Sequence, residues 1–156
     1  MKSFKEVVEL FDFSIEQMID QIMIELSSEI IELNQIEQLQ EGVDAFDQRI
    51  ITISAEEQDA GNVYSFKAIQ ERNIRGLQVD NVDLNFTGDF WRTFRVTKVA
   101  GGWEVQADYN LHGDDIRENF DLKYDFLGLT ENNLEVLIYG SVLPMLEKKI
   151  RARLKI

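Results

Sequence analysis

Two turn signals, Thr87-Gly88 and Ala100-Gly101-Gly102, divide Val82–Tyr109 into runs that alternate apolar and polar residues. Period-two alternation is the pattern of a half-buried strand. The stretch therefore reads as a strand, a turn, a long strand, a glycine turn and a returning strand. With Gly101-Gly102 at the tip, Ala100 faces Trp103, Val96 faces Ala107 and Phe94 faces Tyr109. That register gathers Phe94, Val96, Val105, Ala107 and Tyr109 on one apolar face, interrupted by Lys98 near the tip. Thr97 then opposes Gln106, and Arg95 opposes Asp108 as an opposite-charge pair. A one-residue slip mixes the faces. Trp91 points with Arg95 to the polar side, where an aromatic marks a contact surface or a position covered by another segment. A two-stranded ribbon is not stable alone. It packs on a helix of its own chain, a neighbouring subunit, or both.

Helical patterns flank the ribbon. Ile15, Met18, Ile19, Ile22, Met23, Leu26, Ile30, Leu33 and Ile36 recur at three- and four-residue steps, predicting a helix over 14–40. Ser14 and Gln17 are spaced as a capping box, residues 4–11 read as a separate turn or two, and Gly42 ends the helix. Near the other end, Thr130 caps a helix from Glu131 to Arg153 with the stripe Leu134, Leu137, Ile138, Val142, Leu146, Ile150 and Leu154. Gly140 and Pro144 place a kink near Tyr139–Leu143. Residues 43–81 read as an irregular excursion. Ile50–Ile53 suggests a short strand, and Ala60-Gly61-Asn62 a loop. Tyr64–Ile74 fits either a helix through Phe66, Ile69 and Arg72 or an extended run through Val63, Tyr64 and Phe66. Leu111–Asp125 begins as loop, with room for a short helix over Asp114–Tyr124. The expected fold is a single α+β domain over 1–156. It comprises a helical N-terminal part (1–42), the excursion (43–81), the ribbon (82–109) and a kinked C-terminal helix (130–153). A chain of 156 residues can bury a core without disulfides or metal.

The 16 Lys and Arg against 29 Asp and Glu give a net charge of −13, a surface that repels free nucleic acid and anionic membranes. The charge is unevenly spread. Lys148, Lys149, Arg151, Arg153 and Lys155 lie within the last nine residues; without them 11 basic face 29 acidic residues, a charge of −18. Such cations complement the dipole at a helix C-terminus. They also suit head-to-tail contact with a neighbour's acidic face. The absence of cysteine excludes disulfides and thiolate metal sites and fits a reducing compartment. The start of the chain, MKSFKEVVELFDF, carries acidic residues where a signal peptide is apolar, and no stretch reaches the ~18 apolar residues of a membrane span. Synthesis in the cytoplasm, with no membrane partner, is the expectation.

No stretch spells out chemistry. His112, the lone histidine, sits beside Asp114 and Asp115 in LHGDD, but one histidine cannot build the usual zinc site, and Asp suits the turn. Asp80, Asp83 and Asp89 lack the alternation and closing Glu of a calcium loop. P-loop, GxGxxG, GxSxG and HExxH patterns are missing. Trp91, Trp103, Arg92 and Arg95 have the composition of a stacking platform for single strands, but the flanks are acidic. No catalytic residue, metal or cofactor is expected.

Four blocks carry a resemblance: IIELNQIEQLQEGVDAF (30–46), RGLQVDNVDLNFTGDFWRTFRV (75–96), GGWEVQAD (101–108) and LGLTENNL (127–134). In this order they resemble small virion-associated proteins of tailed Bacteroidetes phages, including crAss-like phages. More distantly, the Thr-Gly turn before a strand pair is similar to phage neck and tail-completion proteins. One departure is Phe46, where the family pattern has glycine. The resemblance implies a structural virion part made in the host cytoplasm, not an enzyme. It implies a ring between portal and tail, with copies of itself and portal, adaptor or tail proteins as partners and no specific nucleic-acid sequence. A ring needs two different surfaces on each copy. Trp91, Arg95 and Trp103 on the ribbon are the expected first surface. Lys148, Lys149, Arg151, Arg153 and Lys155 on the C-terminal helix are the second. Two other readings remain: an acidic inhibitor or DNA mimic that binds a basic partner, and a small hydrolase with paired carboxylates.

Overall fold

Met18, Ile22, Leu26 and Ile30 repeat every four residues and are buried, so the N-terminal segment forms a helix with one face in the core. In a computed structural model describing residues 4–57, 61–111, 113–120 and 123–154, this segment comprises α1 (Phe4–Glu25) and α2 (Ser27–Asn34), then a π turn, Gln35–Leu39. Leu26 separates the two helices, but Leu26 N–H bonds Ile22 O (2.8 Å) and Ile30 N–H bonds Leu26 O (2.9 Å), carrying the ladder through. The Ser27 hydroxyl donates to Met23 O (3.1 Å), a back-bond that bends helices. Ser14 lies inside α1 and is not its cap. Lys5–Phe11 holds neither Gly nor Pro to stop a helix, so residues 4–11 are not a separate turn.

Gly42 ends the π turn at φ +77°. A Cβ there would lie 2.9 Å from Asn81 Cβ, so the returning excursion crosses the helix end closely. The expected strand at Ile50–Ile53 is absent. Ile50 N–H bonds Gly42 O (2.8 Å), Ile51 N–H the Tyr124 hydroxyl (3.3 Å) and Thr52 N–H Val63 O (3.0 Å), so consecutive amides go to different partners and no ladder forms. A short helix, α3 (Ile53–Glu56), follows. Tyr64–Ile74 resolves as helix α4 (Phe66–Ile74), with the Ser65 hydroxyl accepting from Ala68 N–H (3.3 Å) as its cap. Of the expected loop at 60–62, Ala60 lies outside the described residues.

The ribbon is shorter than expected. Val82–Phe86 forms no strand, and Leu84 has φ +54°. Thr87-Gly88 opens a helical turn, α5 (Asp89–Arg92), in which the Thr87 hydroxyl accepts from Asp89 N–H (3.3 Å). The hairpin itself is β1 (Arg95–Val99) and β2 (Gly102–Gln106). Its register pairs Arg95 with Gln106, Val96 with Val105, Thr97 with Glu104, Lys98 with Trp103 and Val99 with Gly102. The expected pairing is displaced by two residues because Ala100-Gly101 alone makes the turn. An even displacement keeps each side chain on its face, so the apolar face survives. The opposition of Arg95 to Asp108 does not. Lys98 interrupts the apolar face because its ammonium reaches Asp20 and Glu16 on α1.

After β2, Asn110–Leu111 (β3) pairs with Asp114–Asp115 (β4), and Ile116–Asn119 forms a 3-10 turn, the only helical piece described in the expected 114–124 helix. Thr130 caps α6 (Glu131–Leu137), its hydroxyl accepting from Asn133 N–H (3.3 Å). The kink is a π turn, Ile138–Val142, leading into α7 (Leu143–Leu154). Pro144 has no N–H to offer the Gly140 carbonyl, and the turn widens there.

Two core clusters result. Leu39, Ile50, Val63, Tyr64, Val82, Phe90, Phe94, Phe120 and Phe126 form one. Ile22, Leu26, Ile30 and Leu137 form the other, and Val105 of the hairpin packs against both. Buried polar side chains join them. Asn34 Nδ2 donates to Phe126 O (3.3 Å) and Gly128 O (2.6 Å). Gln38 donates to Gly128 O (3.0 Å) and accepts from Thr130 N–H (2.9 Å). Asp44 accepts from the N–H groups of Phe46 (2.9 Å), Gln48 (2.8 Å) and Asp125 (3.3 Å). Arg72 donates to both oxygens of Asp83 (3.0 and 2.8 Å) and to Gln78 O (2.6 Å).

Asp83→Ala strands the buried Arg72 guanidinium; urea unfolding is expected to show a loss of about 3–5 kcal/mol. Replacing both partners, Arg72→Met with Asp83→Leu, is expected to cost less than Asp83→Ala because no charge is left unpaired, although Gln78 Nε2 and Asn85 N–H still lose their acceptor. Gly42→Ala is expected to cost about 1–3 kcal/mol, since it combines a left-handed φ with a contact against Asn81.

Candidate interaction surface

The C-terminal helix has two apolar faces. Leu137, Val142, Met145 and Leu146 turn inward onto Ile22, Leu26 and Ile30. A helix with its inner face so occupied normally shows polar residues outside. Here Val136, Tyr139 and Leu143 are exposed at 51%, 69% and 44%. The widened turn at Ile138–Val142 adds a residue and rotates the face that follows. The spacing of these three, three and four residues apart on the side away from Leu137, was a readable signal that a single-stripe reading misses. Leu134, expected inside, is also exposed.

The cationic end of α7 is divided. Lys149 bonds Glu25 (2.8 Å) and fastens α7 to α1, while Arg151 bonds Glu147 (2.8 Å) one turn back. Lys148 and Arg153 are exposed and make no ion pair among the described residues. Lys155 lies outside the described residues.

The expected ribbon surface is not one surface. Trp91 sits on α5, not on the polar face of the hairpin, and is half-buried against the first core cluster. Its indole N–H donates to Asp83 O (2.9 Å), and its carbonyl accepts from Gln35 Nε2 (2.8 Å). Trp91 is a strut. Arg95 is exposed on β1, its guanidinium 3.5 Å from Thr93 O. Trp103 is half-buried and lines an open groove of about 500 Å³ between the hairpin and α6, with Val96, Leu129 and Leu134. The fold thus brings Trp103 to the C-terminal helix and takes Trp91 away from Arg95.

A second groove, about 730 Å³, opens where the 43–47 loop meets the start of α6. Glu37, Asp47, Glu131 and Glu135 line it, with Phe46 exposed at 65%.

Of the three carboxylates considered for a calcium loop, Asp83 and Asp89 are held by the chain itself, and among the described residues Asp80 offers only its backbone carbonyl, to Arg49 (3.5 Å). Asp83 takes Arg72, and Asp89 takes Arg92 (2.7 Å). His112 lies outside the described residues. Among the described residues no group of three His, Cys, Asp or Glu is placed to hold a metal, and no helix is long and apolar enough to cross a membrane. The shifted titrations belong to contacts within the fold. Hydrogen bonding to Asp20 raises Lys98, and hydrogen bonding to Arg117 lowers Asp115. Burial pushes the Tyr109 phenol up to about 12, aided by the Asp125 charge and opposed by Arg117. Burial, then the Asp83 charge, raises Tyr64 as well. No family model matches the chain, and neither a curated protein nor a solved structure matches it.

Tyr109 has an ordinary value of 10.0, raised to about 12 in the fold, so folding favours its neutral form. Its contribution to stability is complete below pH 10 and is lost as pH rises through about 12. Circular dichroism followed with phenolate absorbance is expected to show unfolding and Tyr109 ionisation together. Tyr109→Phe is expected to move the alkaline limit upward.

Proposed function

We propose that this chain is a structural component of a tailed-bacteriophage particle. Its place is the head–tail junction, as a neck, connector or tail-completion part that assembles into a ring. It works by contact, without a catalytic step. The observation that carries the reading is the outward apolar face of Val136, Tyr139 and Leu143, on a helix whose other face is already buried. An exposed stripe of this kind is what a partner surface requires.

The resemblance of the four sequence blocks supports the same reading. Their polar residues Asn34, Gln38, Asp44, Gln78, Asp83 and Thr130 are engaged inside the fold, as befits a scaffold. The net charge of −13 suits a passage through which DNA slides by mutual repulsion. Neighbouring copies and portal, adaptor or tail proteins are the partners, with the particle as the location.

Light scattering on the purified protein, with mass spectrometry of purified particles, tests this. Several copies per assembly and presence in the particle are expected. A strictly monomeric protein absent from particles overturns it. Tyr139→Glu is expected to weaken assembly while leaving the unfolding free energy from urea titration within about 0.5 kcal/mol, as for surface changes generally.

A further inference from the structure

Among the described residues one recognition chemistry recurs three times. Arg72 lies over the Tyr64 ring (4.6 Å) while bonded to Asp83. Arg117 lies over the Tyr109 ring (4.6 Å) while bonded to Asp115. Arg75 lies over the Phe86 ring (4.3 Å) beside Glu71 in the same small groove. An aromatic face beside carboxylates is what a planar guanidinium prefers.

The groove of about 730 Å³ at the start of α6 offers the same chemistry with no cation of its own. Phe46 is exposed at 65% on its wall, and Glu37, Asp47, Glu131 and Glu135 surround it. None of these four carboxylates has an ion-pair partner among the described residues. At the far end of the same helical segment, Lys148, Arg151 and Arg153 are exposed around the tip of α7. Among the described residues Arg151 is held only by Glu147, its neighbour one turn back, and the other two are unpaired.

We propose that the tip of α7 docks in the Phe46 groove of a second copy of this chain. The inference rests on the assembly reading above and names its contact. The two surfaces cannot meet within one chain. They lie on one helical segment, about 27 Å apart from Glu135 to Arg153 at ~1.5 Å per residue. They differ in shape as well as charge, since one is concave and acidic and the other convex and basic. A contact between two different surfaces of identical copies is heterologous, and it repeats into a ring or a filament. Arg153 or Arg151 stacks on Phe46 while the carboxylates take the charge. Phe46 supplies the aromatic face at a position where glycine would supply none.

Charge reversal tests the contact. Glu37→Lys, Glu131→Lys and Glu135→Lys together make the groove net positive; Lys148→Glu, Arg151→Glu and Arg153→Glu together make the tip negative. All six positions are exposed, so circular dichroism should match the starting protein and urea unfolding should stay close to it. Each reversed variant alone is expected to lose the multimer seen by light scattering. Mixing the two, or combining all six changes in one chain, is expected to restore it. Phe46→Ala is expected to lower the association constant roughly tenfold, and raised salt to weaken assembly. An assembly that persists in both reversed variants, or is lost and not restored by mixing, overturns the docking site and leaves the assembly reading standing. A closed dimer, in which two helices pair by a two-fold axis, overturns the head-to-tail contact. A starting protein that stays monomeric overturns both.

Discussion

The Asp83 carboxyl group holds the middle of this molecule. Its two oxygens take the Arg72 guanidinium, Gln78 Nε2 (2.9 Å) and Asn85 N–H (2.9 Å), and its N–H donates to the Tyr64 hydroxyl (3.3 Å). Its carbonyl accepts the Trp91 indole (2.9 Å). Helix α4, the loop after it and α5 therefore converge on one residue. A buried ion pair alone is a weak source of stability, because desolvation offsets its attraction. Here nearly every lone pair and donor is also engaged, and leaving any of them unpaired is what becomes expensive. The pair therefore acts as a specifier: few other arrangements of these segments satisfy it.

The same logic governs the rest of the excursion. A segment with little regular secondary structure must still satisfy its amides and carbonyls. Asp44 does this for the loop after the N-terminal helices, and Asn34 and Gln38 do it for the loop before α6. Side chains replace the ladder that a sheet would have supplied. Among the described residues Asn34 Oδ1 is the one buried side-chain polar atom without a partner. With the interior engaged in holding itself together, the proposed contacts draw on what remains exposed: the outward face of the C-terminal helix and the aromatic, acidic groove at its start.

Some of this was legible in the residues. The periodic burial of Met18, Ile22, Leu26 and Ile30, the Thr130 cap, the helix end at Gly42 and the break near Gly140 and Pro144 follow from local rules, and the structure has each. The apolar face of the hairpin was also correct, because period two fixes which side each residue takes. Its pairing was not, since the number of turn residues at Ala100-Gly101 is decided by tip geometry. Trp91 was misplaced because Val82–Phe90 alternates like a strand but has no neighbouring strand to bond with. The Thr87 hydroxyl and the buried Phe90 draw it into a helical turn. The second apolar face of the C-terminal helix was missed because one stripe through Leu134 and Leu137 was taken as its whole apolar content, although Val136, Tyr139 and Leu143 recur at three- and four-residue steps.

Sequence alone determined where the two long helical segments near the ends run, which side of the hairpin is apolar, that the surface is acidic and that the cations gather near one end. These are local or additive properties, set by each residue's own side chain and its neighbours within a turn or two. Only the tertiary structure decided that Asp83 is a buried hub and not a ligand, that Trp91 is a strut, and that Phe46 stands beside four carboxylates. Each depends on segments far apart in the chain meeting in space, and loop closure leaves no periodic trace in the residues that close.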